Sequence, residues 1–475
     1  MSEIENILNY LCPRIIEYIK EAEKPDSKVG TVHNPLELLE EARSLPFNES
    51  PQGMKGLGES TEFLLQKSVV TWSNRFMEKL YAGNNPIGVA SDILLSVLNT
   101  NSHVFSASPA VTVLEKLVSQ KYANMFGFNG PYAGGLTFPG GSYSNLTSMQ
   151  IARSIKFPET KEEGQTMKLA VFTSEHSHYS VRKAAVMLGL GHSSVFAVKV
   201  LKNGNMDVKD LKSTIIKAKS EGYKPFYINA TSGTTVYGSF DDLEAIAKVA
   251  SDHNIWLHVD GSWGGNVIFS SKYGYKLAGS RLADSITVNP QKMLGVPCTC
   301  SFLLLPDTRT FVKANSLDAG YLFHHKESDM GFDLADGTMG CGRRPDAVKF
   351  FLAWQYYGTQ GFARRIEHAF AMTKYLYDKV TSSPNLLIVD CEAPQCFQVC
   401  FWYANKRKLE NKEKTSQQTR LIAYKMLQNS QFSLDYSTHP TEGEFFRAVL
   451  NSPTVNEALI DELVETIQQI GATTI

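Results

Sequence analysis

Four short runs are apolar at nearly every position: KLAVFTS (168–174), PFYINA (225–230), IWLHVD (255–260) and CSFLLLP (300–306). Continuous apolar runs of this length predict strands buried on both faces, as in a parallel sheet. Longer amphipathic stretches separate them, so residues from about 80 to 350 read as alternating β and α. The segment DDLEAIAKVASDHN (241–254) fits a crossover helix with Asp241 or Asp242 as its N-cap. Upstream, residues 1–55 read as helices joined by polar turns at Pro25, Pro35, Pro46 and Pro51. In GLGESTEFLLQ (56–66), Ser60 and Thr61 precede an apolar-periodic run and mark a helix start. Downstream come a helical region (349–380), strands at 386–390 and 395–403, and a charged stretch (406–420). That stretch reads as a solvated loop or helix face, followed by further α+β structure. The expected division is a helical segment (1–79), a large α/β domain (80–349) and a smaller α+β domain (350–475).

Composition narrows the function classes. Of 475 residues, 43% are hydrophobic and 20% charged, enough for a sizeable core and incompatible with a disordered chain. Lys and Arg number 47 against 48 Asp and Glu, a net charge of −1 with no basic stripe, so no nucleic-acid partner is expected. No run of 18 apolar residues exists to cross a membrane, and the acidic N-terminus lacks the pattern of a signal peptide. Seven cysteines without CxxC pairs or zinc spacing read as reduced thiols of a cytoplasmic chain. Cys298 and Cys300 read as packing residues. Small-molecule chemistry remains.

Four features bear on that chemistry, each with a plainer alternative. Asp260 ends the run IWLHVD, where ligands bind in open α/β sheets, although an Asp there also caps turns. Lys292 follows SITVNPQ; partial burial would make its amine nucleophilic, while an exposed loop lysine is the bland reading. In FPGGSYSNLTSMQIAR (138–153), Gly140 and Gly141 allow a tight turn into a helix whose free amides would hold a phosphate. Such turns are common, and the spacing is neither Walker A nor G-x-G-x-x-G. TSEHSHYS places His176 and His178 at a strand end; no third ligand of suitable spacing accompanies them, so no metal is expected. A phosphate cradle, a strand-end carboxylate, a reactive lysine and a flat ring together describe a pyridoxal phosphate site.

The sequence resembles the group II pyridoxal-phosphate-dependent amino-acid decarboxylases, in their glutamate and cysteine-sulfinate branch. FTSEHSHYS, PFYINATSGTTVYGSFD, WLHVDGSWGG, NPQKMLGV, DAGYLF and EFFRAVL occur in the family's order, from about residue 60 to the C-terminus. The resemblance implies the type I pyridoxal-phosphate-dependent transferase fold, aspartate aminotransferase-like, with a mostly parallel sheet and helices on both faces. It implies that Lys292 holds pyridoxal 5'-phosphate covalently, Asp260 pairs with the ring nitrogen and His178 stacks on the ring. Thr235 would lie near the phenolic oxygen. Gly141, Ser142, Tyr143, Ser144 and Asn289 would serve the phosphate. Tyr321 would protonate the substrate carbon after carbon dioxide leaves, and Arg447 would bind the substrate α-carboxylate. A homodimer is implied, with residues 1–60 packing on the partner and the Tyr321 loop and NTNSHVFSASP (99–109) completing the partner's site.

The departures are informative. Gln291 stands where the family has His, and Asp260-Gly261-Ser262 where it has Asp-Ala-Ala. His103, two residues before Phe105, stands where glutamate decarboxylases carry Phe, and Lys79 where they carry an amide. Two added cations favour a carboxylate-bearing side chain, and the long Lys79 would shorten the pocket. The expected substrate is therefore L-aspartate, giving β-alanine, with glutamate and cysteine sulfinate as alternatives. Tyr321 argues against a decarboxylation-dependent aldehyde synthase, which has Phe there. The full set of matched residues argues against an inactive scaffold.

Overall fold

The computed structural model describes residues 2–30, 32–45, 49–317, 319–323, 331–389 and 393–474. The strands in chain order are β1 (Phe76–Met77), β2 (Gly134–Phe138), β3 (Leu169–Ser174), β4 (Val195–Val198), β5 (Lys224–Thr231) and β6 (Trp256–Gly261). They continue as β7 (Ser285–Val288), β8 (Ser301–Leu305), β9 (Leu386–Ile388), β10 (Gln398–Tyr403), β11 (Ser433–His439) and β12 (Gly443–Val449).

The chain divides into two compact units, residues 84–368 with 390–396, and residues 1–83 with 369–389 and 397–475. The first holds a seven-stranded sheet ordered β2-β8-β7-β6-β5-β3-β4. β3 to β7 pair in parallel, whereas β8 runs antiparallel to both β7 and β2. All four apolar runs are strands of this sheet, and CSFLLLP is its antiparallel member. β3 and β8 are buried along their whole length and stay mostly apolar, whereas the equally buried β6 and β7 carry polar His258, Asp260, Ser285 and Thr287 between apolar residues. β2 was hidden from pattern reading because it opens with Gly134 and Gly135. A Cβ at Gly135 would strike the Leu303 carbonyl on β8, so this close pairing needs glycine.

The crossover helix spans Leu243–Asp252, and Asp242 caps it by accepting the Ala245 N–H at 3.0 Å. Asp241 is buried and instead accepts the Met206 and Thr231 amides at 2.6 and 2.7 Å. Burial lifts its carboxyl to about 6 against those two bonds.

The second unit contains a five-stranded sheet ordered β1-β11-β12-β10-β9. β1 pairs with β11, Phe76 opposite Ser433, and buried Arg75 bonds Glu462 at 2.7 and 2.8 Å. The N-terminal residues thus belong to the same unit as the C-terminal sheet, where the sequence suggested a separate segment. The expected boundary at 350 falls inside a helical run, Ala347–Ser382, that is interrupted only at Gly358 (φ 64°, ψ 173°). Ser60 and Thr61 do not start a helix. They lie within helix Gly53–Lys67, where the Thr61 hydroxyl donates to the Leu57 carbonyl at 2.7 Å instead of capping. The charged stretch leads into helix Lys412–Gln428, capped by Asn411. Among the described residues no helix is long and apolar enough to cross a membrane. Six cysteines are free thiols; Cys300 is buried, Cys298 is exposed, and Cys391 lies outside the described residues.

Candidate active site

The carboxyl ends of the parallel strands and the turn after β2 surround a cavity of about 580 Å³ within the first unit. Ten of the sequence-predicted residues line it: Gly141, Ser142, Tyr143, His178, Thr235, Asp260, Ser262, Asn289, Gln291 and Lys292. Its volume is that of a small-cofactor pocket. Helix Gly141–Lys156 begins at one end, after Gly140 turns the chain with φ 103°. The Tyr143 and Ser144 amides return to the Gly140 carbonyl at 3.0 and 3.3 Å. Those of Gly141 and Ser142 precede any intrahelical acceptor, leaving two donors at the positive end of the helix dipole. A Cβ at Gly141 would clash with Ser262 Oγ and lie 3.0 Å from Asn289 Nδ2. The glycine therefore lets both side chains reach the helix start. Ser144 does not line the cavity; its Oγ lies 2.8 Å from Ser301 Oγ, which donates to Asn289 Oδ1 at 2.6 Å.

Asp260 is buried at the end of β6. Its Oδ1 accepts the Ser262 N–H at 3.1 Å and its Oδ2 accepts Asn145 Nδ2 at 2.8 Å. Burial raises its pKa, but bonding to Ser262 and the nearby His178, His258 and Lys292 outweigh that, so it lies below the usual carboxylate range. His178 moves down, chiefly by burial and also through Lys292, against the pull of Asp260. Its Nδ1 lies 2.8 Å from Ser180 Oγ. The Gln291 amide oxygen accepts the Cys300 backbone N–H, so a neutral side chain takes the place of a titratable one. His176 packs on Tyr237, with ring centroids 4.7 Å apart.

These groups fit pyridoxal phosphate. Two helix-end amides suit a phosphate, and an ionised buried carboxylate suits a pyridinium nitrogen. An amine lines the same cavity, beside an imidazole that can cover a flat ring.

The remaining predicted residues stand elsewhere. Tyr321 is 84% exposed and does not line the cavity. Nor do His103, whose Nδ1 lies 2.9 Å from the Asn101 carbonyl, and Phe105, which packs on Phe332 at 5.5 Å. Lys79 and Arg447 belong to the second unit. There Asp435 on β11 faces Arg447 on β12, and its Oδ2 lies 2.6 Å from Arg447 Nη2 and 3.3 Å from Lys79 Nζ. Lys79 also meets Glu78 at 2.6 Å, and Arg447 donates to the Glu78 carbonyl at 2.9 Å. Burial pushes the Lys79 ammonium down, but Glu78 and Asp435 outweigh it and its pKa ends above the ordinary value.

Sequence reasoning read Asn145 only as part of the turn into the helix, and missed Ser180, which lines the cavity with it, His258 behind the cavity, and Asp435 in the cation cluster. The one available signal was His258 itself, a polar residue inside an apolar run that must find partners when buried.

The chain matches the model of the pyridoxal-dependent decarboxylase conserved domain over residues 35–404. An L-aspartate decarboxylase (dtxS4) of Metarhizium robertsii is 46% identical over 430 residues, 90% of this chain and 85% of that protein. The crystal structure of mouse CSAD superposes with a TM-score of 0.92 at 34% identity, covering 98% of each chain. Oryza sativa TDC, solved with PLP and tryptamine, shares the fold at a TM-score of 0.91 and 22% identity, covering 99% of this chain and 98% of that one. With the type I fold, the matched domain and the fitting cavity in hand, the chain belongs to the pyridoxal-dependent decarboxylase family and is a carboxy-lyase that uses pyridoxal phosphate.

Proposed function

We propose that the enzyme removes the α-carboxylate of a small acidic L-amino acid, L-aspartate before glutamate or cysteine sulfinate, releasing carbon dioxide and, from aspartate, β-alanine. The observation that carries this is the 46% identity to an L-aspartate decarboxylase over 90% of the chain. Support comes from the second unit, where Asp435 holds Arg447 and Lys79 on one carboxylate oxygen. Two neighbouring cations suit the two carboxylates of a short diacid, Arg447 taking the α-carboxylate and Lys79 the distal one. The likeness to mouse CSAD is why cysteine sulfinate stays among the alternatives.

Bound pyridoxal phosphate supplies an electron-accepting ring that takes up the pair left when the Cα–carboxylate bond breaks. Lys292 holds it through its amine. The Gly141 and Ser142 amides, with Tyr143, Ser144 and Asn289, receive the phosphate. Asp260 keeps a proton on the ring nitrogen, Thr235 attends the phenolic oxygen, and His178 covers the ring face. Arg447 would hold the substrate α-carboxylate in a fixed orientation, a positioning effect worth several kcal/mol. Tyr321 returns a proton to Cα.

The active species is a homodimer in this reading. An 84% exposed Tyr321 suits a residue that completes another subunit's site, and helix Pro86–Leu98 presents Ile93, Leu94, Val97 and Leu98 to solvent. Packing of residues 1–60 on the partner belongs to the same proposal. An active monomer in light scattering would sink it. For the substrate, the test is kcat/KM for aspartate, glutamate and cysteine sulfinate, with aspartate expected to lead. A lead by glutamate overturns the assignment.

A further inference from the structure

A hydrogen-bonded chain runs from residues behind the cavity, Trp256, Ser285, Ser148 and His258, to four that line it, Asn145, Asp260, Ser180 and His178, and its direction is set at both ends. At one end is Trp256 Nε1–H, which can only donate; Ser285 Oγ accepts it at 2.9 Å. Ser285 Oγ lies 2.8 Å and Ser148 Oγ 3.0 Å from His258 Nδ1. His258 Nε2 lies 3.0 Å from Asn145 Oδ1. Asn145 Nδ2 donates to Asp260 Oδ2 at 2.8 Å and to Ser180 Oγ at 3.1 Å. Ser180 Oγ and the Ser180 backbone N–H both face His178 Nδ1, at 2.8 and 3.3 Å.

The serines beyond His258 can share their protons in more than one way, since Ser148 Oγ and Ser285 Oγ also lie 2.8 Å apart, but the proton positions at Asn145, His258 Nε2 and His178 follow from fixed donors and acceptors. Ionised Asp260 accepts only, so the amide NH2 of Asn145 must face it, and the amide oxygen must face His258. His258 Nε2 therefore carries a hydrogen. Its burial, which depresses its pKa to about 4, leaves it neutral, so its Nδ1 is bare and accepts from a serine. Ser180 Oγ already receives an Asn145 hydrogen and points its own at His178. The backbone N–H of Ser180 adds a longer second donor to the same Nδ1 at 3.3 Å, so with the hydroxyl in place that nitrogen accepts. The proton of neutral His178 sits on Nε2.

We propose that Asn145 is a positioning residue that sets the proton inventory of the site: its amide holds Asp260 as an acceptor and, through Ser180, fixes His178 as the neutral Nε2–H tautomer. His178 then offers a hydrogen-bond donor from Nε2 and has no free basic nitrogen. The proposal rests on the cavity being the pyridoxal phosphate site, but its primary readout does not.

That readout is the 15N spectrum of labelled histidine in the apoenzyme at neutral pH. Wild type should show His178 with Nδ1 bare and Nε2 protonated. Asn145→Ala should mix the tautomers and weaken pyridoxal phosphate binding, measured by fluorescence quenching, about tenfold or more, since it strands Asp260 and His258. Ser148→Ala, which removes a hydroxyl on the far side of His258, should change neither. Ser180→Ala removes one oxygen and serves if Asn145→Ala does not fold. It should mix the tautomers yet keep pyridoxal phosphate affinity within about threefold, because Asp260 keeps its amide donor. A protonated Nδ1 in wild type, or unaltered His178 signals in the folded variants, overturns the proposal. So does an equal loss of affinity in Ser148→Ala. Failure of the cavity assignment looks different: wild type would show no borohydride-trappable pyridoxal phosphate dependent on Lys292.

Discussion

The cavity of the first unit and the cation cluster of the second are built on opposite principles. Around the cavity, Asp260, Asn145 and His258 are 4%, 2% and 0% exposed and are tied by hydrogen bonds of 2.8 to 3.0 Å through one amide. In the cluster, two cations and two carboxylates neutralise one another, with the Lys79 and Asp435 side chains 43% and 28% exposed. Buried hydrogen-bonded networks restrict the geometry because alternatives leave a polar atom unsatisfied. The half-exposed Lys79 pairs contribute little stability and respond to salt and to partners, although Arg447 beside them is buried. A tightly held cofactor suits the first design, and in the proposed reading an exchanging substrate suits the second.

The sharpest way to break this contrast is at Lys292. Lys292→Ala should abolish covalent cofactor binding and lower kcat on the order of 10³-fold or more, with the fold retained. A variant that still yields borohydride-trapped cofactor would remove the cavity side of the comparison. Next comes Tyr321→Phe, expected to lower amine formation about 10²- to 10⁴-fold while pyridoxal phosphate affinity stays put. Normal amine production would deny the exposed loop its role. Lys79→Gln should move the ratio of aspartate to glutamate kcat/KM toward glutamate by about tenfold, the scale of a one-methylene discrimination. An unchanged ratio would show the cluster to be structural.

The smallest effect concerns acid stability. His258 is depressed to about 4 when folded, from 6.5, so the native state binds fewer protons there than the unfolded chain. Its contribution is therefore complete above about 6.5 and lost as the pH falls toward 4. Denaturant midpoints at pH 7.5 and 5 should fall further for wild type than for His258→Gln. Equal losses would mean that the network carries no such linkage. Asp241 works with the opposite sign over the same window, its native pKa of about 6 lying above the ordinary 3.8, so its share declines as pH rises. Asp241→Asn separates the two.

The sequence made the cavity legible and the support behind it almost invisible. Asp260, Lys292 and His178 could be read because each follows an apolar run, and strand ends in α/β sheets are where sites form. Gly141 and Ser142 were readable as a glycine turn into a helix. Asn145 touches Asp260 across 115 positions and Ser180 across 35, and no local spacing announces such contacts. Asp435 escaped for the same reason, since its partnership with Lys79 spans 356 positions. In the fold, the fully buried strands were plain, while β2 hid behind its glycines. Ser60 and Thr61 misled because a hydroxyl residue inside a helix looks like one at its start until its hydrogen bond is seen.

The contact between Gly141 and Ser262 constrains the order in which this site could change. Alanine at 141 meets the Ser262 hydroxyl, so that exchange requires the serine side chain to turn away. With alanine at 262, the hydroxyl is gone and what remains near the new methyl is Asn289 Nδ2 at 3.0 Å and the 262 Cβ at 3.2 Å. Those contacts are tight but can yield by a few tenths of an ångström. The two positions are thus coupled: a lineage or a library would reach the double variant more readily through 262 first.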